Sequence, residues 1–524
     1  IHFGDTRLRR CATWVSIVSS GFLLLVAFAL PSKRREAGDG RRQEVAIRRA
    51  ALWCAGVALL LTIVKTVYLD SHENVFRRTR FDGESVAGLA HPTRVSFGDE
   101  MGLLGYELTT PSGASATSGL LSVNTDGVAD LTLYWRVLRP LDTDYSVAVH
   151  LVDDQDRRYG QRDSQHPAGH PTSRWELDVY GYDEHRIEVW PGTPPGVYDL
   201  IVGVYDISTG RRLEPRDEGG PLAGTALKIA SVEVVHSSRG VLSATPKMDV
   251  ALNQPVGDGV QVVGLIRPPT TVDAGGRLPL TLFWRAQAAP QADYTARLRL
   301  VDPTGTSVAE ERFVPGRSTY PTSAWQRGEL VRDGRSFLVP ATTSSGTYTL
   351  CVDLLDHEAN AMAPSVPLVD VTVNAPLRTY AAPPFDYQAG AVFGGQAELL
   401  GFSLSEIRVR PRQEVNVTLV WRAQATTDTG YAVFVHLLDA AGNIVAQHDG
   451  TPADGSRPMT GWLPDEVIVD SHTIVLPPDA ESGRYVLAVG LYDPITDDRL
   501  PVDTPYTDGL ETRLLLNAEV EIAR

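Results

Sequence analysis

The stretch LTLYWR at 131–136 returns as LTLFWR at 280–285 and as VTLVWR at 417–422. Successive side chains of a β-strand point to opposite faces, so the tryptophan and the apolar residues two and four positions before it share one face. A large aromatic residue in such a position typically fills the space between two packed sheets. The residues predicted to lie in the core on this basis are Trp135, Trp284 and Trp421.

Further residues keep constant distances from this tryptophan in each copy. A tyrosine follows after 10 residues, an aspartate after 18, a second tryptophan after 40 or 41, and a glycine after 61 or 62. Agreement over this many positions within one chain indicates a tandem repeat. In chain order the residues are Tyr145, Tyr294 and Tyr431; Asp153, Asp302 and Asp439; Trp175, Trp325 and Trp462; Gly196, Gly346 and Gly483.

The repeats predict three domains, at 95–235, 250–374 and 391–524. Each contains short alternating apolar runs separated by Gly, Pro and Asp turns, with no amphipathic helix, which is typical of a β-sandwich. The segments between the copies, 236–249 and 375–390, are rich in proline and small residues, as linkers are. The predicted fold class is therefore mostly β, with three tandem antiparallel sandwiches of immunoglobulin-like or carbohydrate-binding-like type.

The N-terminal part, residues 1–70, has a different pattern. Two runs of 19 mainly apolar residues, 12–30 and 51–69, are each nearly long enough to cross a bilayer as a helix. The loop between them, 31–50, holds seven Lys or Arg residues, which favours its placement on the cytoplasmic side. The sequence therefore predicts a transmembrane hairpin, a linker at 71–94, and sandwiches on the extracytoplasmic side.

Charge is distributed unevenly along the chain, whose net charge is −16. Residues 1–80 carry a net charge of +8 and residues 81–524 one of −24, counted from the sequence. An acidic body excludes nucleic acid as a partner, because phosphates require a positive surface. The basic head fits a segment next to a lipid bilayer.

One alternative to the hairpin remains open. AFALP at 27–31 resembles a signal-peptide cleavage site, in which case the first apolar run would be removed. Cleavage there would leave the basic loop outside, against the charge rule. The chain begins with Ile1 instead of Met, which suggests that it is a fragment of a longer protein.

Several residue types invite a chemical interpretation. His150 and His436 occupy the same repeat position, but the second copy has Arg299 there, which cannot ligate a metal. We therefore expect polar residues on the open face of a sheet. The strand-ending aspartates, including Asp206, Asp356 and Asp493, are expected to bind backbone N–H groups of the following turns. Calcium binding would need several such carboxylates to converge.

The second tryptophan of each copy follows a turn, as in PTSRW at 171–175. We expect either a contact with a glycan or protein through an exposed ring, or a ring tucked over the edge of a sheet. The candidate contact residues are Trp175, Trp325 and Trp462.

The remaining candidates for chemistry are few. The three cysteines Cys11, Cys54 and Cys351 build neither a disulfide framework nor a cysteine zinc site. No catalytic motif is found, so no catalytic residue, cofactor or metal is predicted.

LTLYWRVLRPLDTDYSVAVHLVD, PTSRW and GVYDLIVGVYDISTGRRL resemble the C-terminal region of bacterial multi-pass membrane glycosyltransferases related to the protein O-mannosyltransferase family. The passage VYLDSHENVFRRTRFDGESVAGLAHPTRVSFGDEMGLLGYEL resembles the point where the last membrane helix of such proteins leads into extracytoplasmic sandwiches. The catalytic acidic residues of that family lie near its first membrane helices, and nothing in this chain corresponds to them.

The resemblance implies a non-catalytic region that binds envelope glycan or acceptor protein for a membrane glycosyltransferase. The alternative is a free-standing membrane-anchored adhesion or scaffold protein of the cell envelope. Enzyme activity would require an upstream membrane domain. The expected partners are the lipid bilayer and an envelope glycan or protein acceptor, and the expected location is the cell membrane.

Overall fold

The computed structural model describes residues 81, 83–117, 119–177, 179–222, 224–236, 246–504 and 512–523, with the isolated positions 53, 56, 57 and 60. The predicted spans 12–30 and 51–69 lie outside these residues, except for the four isolated positions. Over the described part of the chain, no helix combines the length and the apolar composition needed to cross a membrane.

The first pair of sheets is built from twelve strands. One sheet has the order β11-β10-β1-β2-β4-β7 and the other the order β3-β12-β8-β5-β6, with β9 beside β8. The strands are β1 (His91–Phe97), β2 (Met101–Thr109), β3 (Leu120–Asn124), β4 (Val128–Val137), β5 (Tyr145–Val152), β6 (Arg158–Gln161), β7 (Gly181–Glu188), β8 (Gly196–Asp206), β9 (Arg212–Leu213), β10 (Pro215–Asp217), β11 (Gly220–Pro221) and β12 (Leu227–Val235).

The second pair has the strand orders β13-β14-β16-β19 and β15-β21-β20-β17-β18. A single apolar cluster contains side chains from both sheets, so the pair is a sandwich with a core of its own. The strands are β13 (Val250–Gly257), β14 (Val260–Ile266), β15 (Thr271–Asp273), β16 (Arg277–Ala286), β17 (Thr295–Val301), β18 (Ser307–Phe313), β19 (Leu330–Leu338), β20 (Gly346–Leu355) and β21 (Val366–Asn374).

The third pair repeats this arrangement, with the orders β28-β25-β23-β22-β30 and β24-β31-β29-β26-β27 around a second apolar cluster. The strands are β22 (Tyr387–Phe393), β23 (Ala397–Leu404), β24 (Arg408–Val409), β25 (Glu414–Ala423), β26 (Ala432–Leu438), β27 (Ile444–Gly450), β28 (Val467–Val475), β29 (Gly483–Tyr492), β30 (Val502–Asp503) and β31 (Leu514–Ile522).

The six sheets confirm a mostly β chain that contains sandwiches. Two details differ from the purely antiparallel prediction, because β15 pairs with β21 and β24 with β31 in parallel. Both parallel strands are short edge strands reached by a crossover from the opposite sheet. The described chain forms two compact units, one with the first sandwich and one with the second and third. The domain boundaries given above remain a prediction.

The strand that carries the repeated stretch is buried on alternate residues. In β4 the residues facing the core, including Leu131 and Leu133, are at most 3% exposed, and the residues between them are partly exposed. The tryptophans of β4, β16 and β25 are all 0% exposed. The alternation predicted for LTLYWR is therefore present, and its tryptophan lies in the core.

A glycine in the second strand of the first and third sandwiches allows two backbones to approach closely. Gly105 and Gly401 each follow a register shift against the strand that carries the core tryptophan. A Cβ atom on Gly105 would lie 2.6 Å from the carbonyl oxygen of His91, and one on Gly401 would lie 2.5 Å from that of Tyr387. Both strands therefore need glycine at the bulge.

The second and third sandwiches meet through a backbone contact. A Cβ atom on Gly275 would overlap the Cα atom of Gly461, and Thr460 Oγ1 donates a hydrogen bond of 2.6 Å to the carbonyl of Gly275. Arg378, from the predicted linker, donates to the carbonyls of Gly461 (3.0 Å) and Ala341 (2.6 Å). We call these residues the junction. The linker residue Arg378 is therefore anchored to both sandwiches.

Candidate functional site

The second tryptophan of each repeat is buried, in contrast to the exposed ring that a glycan contact would require. Trp175 is 7% exposed, Trp325 is 1% exposed and Trp462 is 0% exposed. Each indole N–H donates to a main-chain carbonyl five residues earlier, at 3.2, 3.4 and 2.8 Å respectively. These rings have no exposed face for stacking against a sugar, so the geometry corresponds to the tucked alternative.

Within the first sandwich, and again within the second, the turn before this tryptophan is hydrogen-bonded to the start of a core strand. Thr172 Oγ1 accepts the backbone N–H of Tyr145 (2.8 Å) and donates to the carbonyl of Thr143 (3.1 Å). Thr322 makes the same pair of bonds in the second sandwich, at 2.8 and 2.9 Å. The PTS sequence is therefore repeated because its threonine holds the start of a core strand.

The paired histidines are less exposed than expected. His436 is 4% exposed, and its Nε2 lies 3.5 Å from a carboxylate oxygen of Asp449. His150 Nε2 lies 3.2 Å from Asp163, and burial lowers the pKa of His150. His436 lies on the face opposite the core, as expected, but it is buried there, because its ring packs against Phe434 with the ring centroids 4.6 Å apart.

The strand-ending aspartates bind the turns that follow them, as predicted. Asp439 Oδ1 accepts the backbone N–H groups of Ala441 and Asn443, both at 2.9 Å. Hydrogen bonds from the side chain and backbone of Ser208 are the main cause that lowers the pKa of Asp206 to about 2. The lone pairs of these two carboxylates are directed at their own turns, which is the structural role of Asp at such positions.

A buried aspartate that is not among the residues predicted from the sequence recurs 48 or 49 residues after each core tryptophan. Each lies on the strand that pairs with the tryptophan strand, and each accepts a hydrogen bond from a basic side chain two residues later. The repeat spacing could have revealed it, since Asp-x-His or Asp-x-Arg occurs in all three copies. The pairs are Asp183 and His185 (2.7 Å), Asp333 and Arg335 (2.6 Å), and Asp470 and His472 (2.9 Å).

In the third sandwich this pair extends to a second histidine. His472 Nδ1 lies 2.9 Å from His448 Nδ1, and the rings are nearly perpendicular at 74°. His472 Nε2 faces the carboxylate of Asp470, so its proton lies on Nε2 and its Nδ1 accepts a hydrogen bond from His448. Burial and the neighbouring His472 lower the pKa of His448.

These histidines line a pocket of about 310 Å³, which we call the histidine pocket. Its wall includes β27, β28 and the loop between them, and Asp454 is on that loop. Ala453, Asp454 and Gly455 have consecutive positive φ angles of 53°, 51° and 81°. The N–H of Ala453 donates to Asp470 at 2.8 Å, so the loop and the Asp–His pair hold each other in place.

Chemically, the pocket offers imidazole nitrogens beside carboxylates. No group of three or more His, Cys, Asp or Glu side chains is arranged to hold a metal ion in the described part of the chain. Ser471 also lines the pocket, and its hydroxyl lies 3.4 Å from Thr418 Oγ1.

Comparisons with known proteins show no match to a family model and no match among curated proteins. Among solved structures, the C-terminal domain of Wzt aligns at 13% identity over 26% of this chain and 77% of its own, with a TM-score of 0.19. The C-terminal domain of the Streptococcus pyogenes antigen I/II-family protein AspA aligns at 8% identity over 51% and 98%, with a TM-score of 0.16. The C-terminal domain of the Streptococcus agalactiae AgI/II polypeptide BspA aligns at 10% identity over 51% and 99%, with a TM-score of 0.15.

Proposed function

We propose that this chain is a non-catalytic, membrane-anchored scaffold of the cell envelope. Its sandwiches lie on the extracytoplasmic side, and residues 12–30 and 51–69 anchor them in the lipid bilayer. The basic loop 31–50 stays in the cytoplasm. The scaffold presents its surface to an envelope glycan or to a protein acceptor.

The junction is the observation that carries the scaffold role. A flexible linker is sufficient for a protein that only holds a binding domain near the membrane. Here the second and third sandwiches are instead in direct contact at Gly275 and Gly461, and Arg378 binds to both of them. The second and third sandwiches belong to one compact unit, so the junction would restrict how far their binding surfaces can move apart. A constant spacing is useful to a scaffold.

The membrane anchor is proposed from the sequence, because residues 12–30 and 51–69 are long apolar runs. Trp53, Gly56, Val57 and Leu60 have helical conformation within the second apolar run. Trp53 is 76% exposed and Leu60 is 60% exposed, which is unfavourable in water and favourable in lipid. The Lys and Arg residues of loop 31–50 favour an orientation in which this loop lies on the cytoplasmic side and the sandwiches on the opposite side.

The junction yields a prediction for Gly275→Ala. The added Cβ would overlap Gly461, so we expect the two sandwiches to separate locally and the segment 375–386 to become accessible to protease, with cleavage about tenfold faster. The measurement is limited proteolysis of the full chain, with fragments identified by mass spectrometry. Gly275 also has a positive φ of 91°, which alanine adopts at some cost.

Gly305→Ala is the matched control, because Gly305 has a φ of 87° but no atom lies within 4 Å of the place that an added Cβ would take. It shares the backbone strain and lacks the collision. Equal cleavage of 375–386 in the two variants would show that strain alone acts, and the scaffold proposal would lose its main support.

The orientation is tested by cysteine labelling in intact cells after replacement of the three native cysteines by serine. A single cysteine is then introduced by Leu377→Cys or by Gly40→Cys. Leu377 is 97% exposed, and Gly40 lies in the predicted cytoplasmic loop. A membrane-impermeant maleimide is expected to label position 377 at once and position 40 only after permeabilisation. The reverse pattern would place the sandwiches in the cytoplasm and refute the proposed location.

The second candidate is the C-terminal part of a membrane glycosyltransferase, with the same sandwiches binding its glycan or acceptor. The resemblance of LTLYWRVLRPLDTDYSVAVHLVD and of the passage into the first sandwich favours it. Sequencing upstream of Ile1 tests it directly. Further membrane spans with an acidic external loop are expected for the transferase, and an initiator Met just before Ile1 for the free-standing scaffold.

A further inference from the structure

We propose that the histidine pocket of the third sandwich binds one divalent transition-metal ion of the Zn²⁺ type, with His448 Nδ1 and His472 Nδ1 as protein ligands. The proposal is independent of the scaffold role. It rests on the spacing of the two nitrogens, the fixed tautomer of His472 and the acidic wall of the pocket.

The spacing of the nitrogens suits a shared ion. Zinc lies about 2.0–2.1 Å from an imidazole nitrogen. If an ion lay at that distance from both nitrogens, which are 2.9 Å apart, the N–metal–N angle would be about 90°. Opening the pair by a few tenths of an ångström would give the tetrahedral angle, and the pocket has room for that movement because His448 is partly exposed.

His472 already has the tautomer of a metal ligand. Its Nε2–H donates to Asp470 at 2.9 Å, which leaves the Nδ1 lone pair directed towards His448. A carboxylate that accepts the second N–H of a ligating imidazole orients the ring and increases its basicity. Asp470 is itself held by the N–H of Ala453, so this support is in place before any ion arrives.

The rest of the coordination sphere would come from water, because no third His, Cys, Asp or Glu side chain is placed to bind the same ion in the described part of the chain. Asp449 and Asp454 line the pocket, and both raise the negative potential near His448. Two imidazoles with carboxylate or water ligands favour Zn²⁺, Ni²⁺ or Cu²⁺, whereas Ca²⁺ and Mg²⁺ prefer a sphere of oxygens. His448 would have to move its proton from Nδ1 to Nε2 and give up its hydrogen bond to His472 before its Nδ1 could bind the ion, so we expect an exchangeable ion of moderate affinity.

The other two sandwiches serve as internal comparisons. The residue at the position of His448 is Arg162 in the first copy and Glu311 in the second, from the pairing register of the strands. In the first copy His185 Nδ1 faces the carbonyl of Arg162 at 3.1 Å, where the third copy has an imidazole. A second imidazole at this position is therefore a property of the third copy.

Binding would connect the two sheets of the third sandwich. β27 is the edge strand of one sheet and β28 is the edge strand of the other. An ion held by His448 and His472 would therefore bridge the two sheets at their shared side. Any ligand that binds the folded state stabilises it, so the ion should raise the melting temperature of this sandwich.

The test is a titration of the full chain, free of any histidine tag, with Zn²⁺ and separately with Ca²⁺. We expect one Zn²⁺ per chain by calorimetry, removal by EDTA, and a rise in the thermal transition of the third sandwich. Co²⁺ in place of Zn²⁺ is expected to give visible absorption bands that His448→Gln abolishes. Ca²⁺ is expected to leave all three readouts unchanged.

Three variants decide whether the named residues are responsible. His448→Gln is expected to lower Zn²⁺ affinity at least tenfold, and Asp470→Asn about 10- to 100-fold through ring orientation. His357→Gln is the control, since the His357 side chain is 84% exposed and its Nε2 lies 3.8 Å from Glu358. No bound Zn²⁺, or the same affinity in His448→Gln as in the unmodified chain, would overturn the proposal.

Discussion

Glu466→Ala is expected to destabilise the third sandwich by about 3–5 kcal/mol, because removing one partner of a buried ion pair leaves charge uncompensated. Glu466 is 0% exposed and receives guanidinium groups from both Arg378 and Arg457. It also accepts the backbone N–H of Leu463 at 3.0 Å. Its loss would remove the carboxylate partner of both arginines and the acceptor of the Leu463 N–H, although Arg378 would keep its hydrogen bonds to two carbonyls.

The measurement is hydrogen–deuterium exchange of the full chain, which reports local opening free energies for each sandwich separately. Faster exchange is expected in β25 and β28 of the third sandwich. Glu521→Ala is the control, because the pair of Glu521 with Arg408 (2.9 Å) is exposed and should contribute less than about 1 kcal/mol. Similar effects of the two substitutions would contradict this account of Glu466.

Trp284→Ala is expected to destabilise the second sandwich by a similar amount, about 3–5 kcal/mol. Trp284 is 0% exposed and its indole N–H donates to the buried Asp333 at 3.0 Å. Burial raises the pKa of Asp333, while its bond with Arg335 opposes that shift. The tryptophan therefore contributes both apolar volume and a hydrogen bond to a carboxylate that is remote from water.

Phenylalanine substitutions separate these two contributions. Trp421 is equally buried, but its indole N–H has no hydrogen-bond partner among the described residues. Trp284→Phe should therefore cost about 1–3 kcal/mol more than Trp421→Phe, because it removes one of the hydrogen bonds that the buried carboxylate of Asp333 accepts. Local exchange free energies in β16 and β25 measure the difference. Equal costs would show that the bond to Asp333 adds nothing.

Much of the fold could be predicted because it follows from local periodicity. The alternation around Trp135 reports which face is buried, and the recurrence of Asp439-type turns reports where strands end. Each of these two patterns involves only residues that are a few positions apart in the sequence. The parallel pairing of β15 with β21 could not be read in this way, since it joins residues about 100 positions apart.

The candidate site was harder to predict for the same reason. His448 and His472 lie on strands of two different sheets, so their contact depends on how the sheets pack. The burial of the Trp175 ring could not be predicted either. A tryptophan that follows a turn has the same local sequence whether its ring is buried or exposed. The buried aspartates could have been predicted from the sequence, because they recur at a nearly constant distance from the core tryptophan in all three copies.

The contact between Gly275 and Gly461 also distinguishes the third copy from the other two. At the position of Gly461 the first copy carries Arg174 and the second carries Ala324. A Cβ atom at position 461 would lie 3.1 Å from the carbonyl oxygen of Ala274, so alanine would need the loop to shift by a few tenths of an ångström, and arginine would have to place a much larger side chain. The loop of the third copy therefore matches its neighbour more closely than the corresponding loops of the other two copies would.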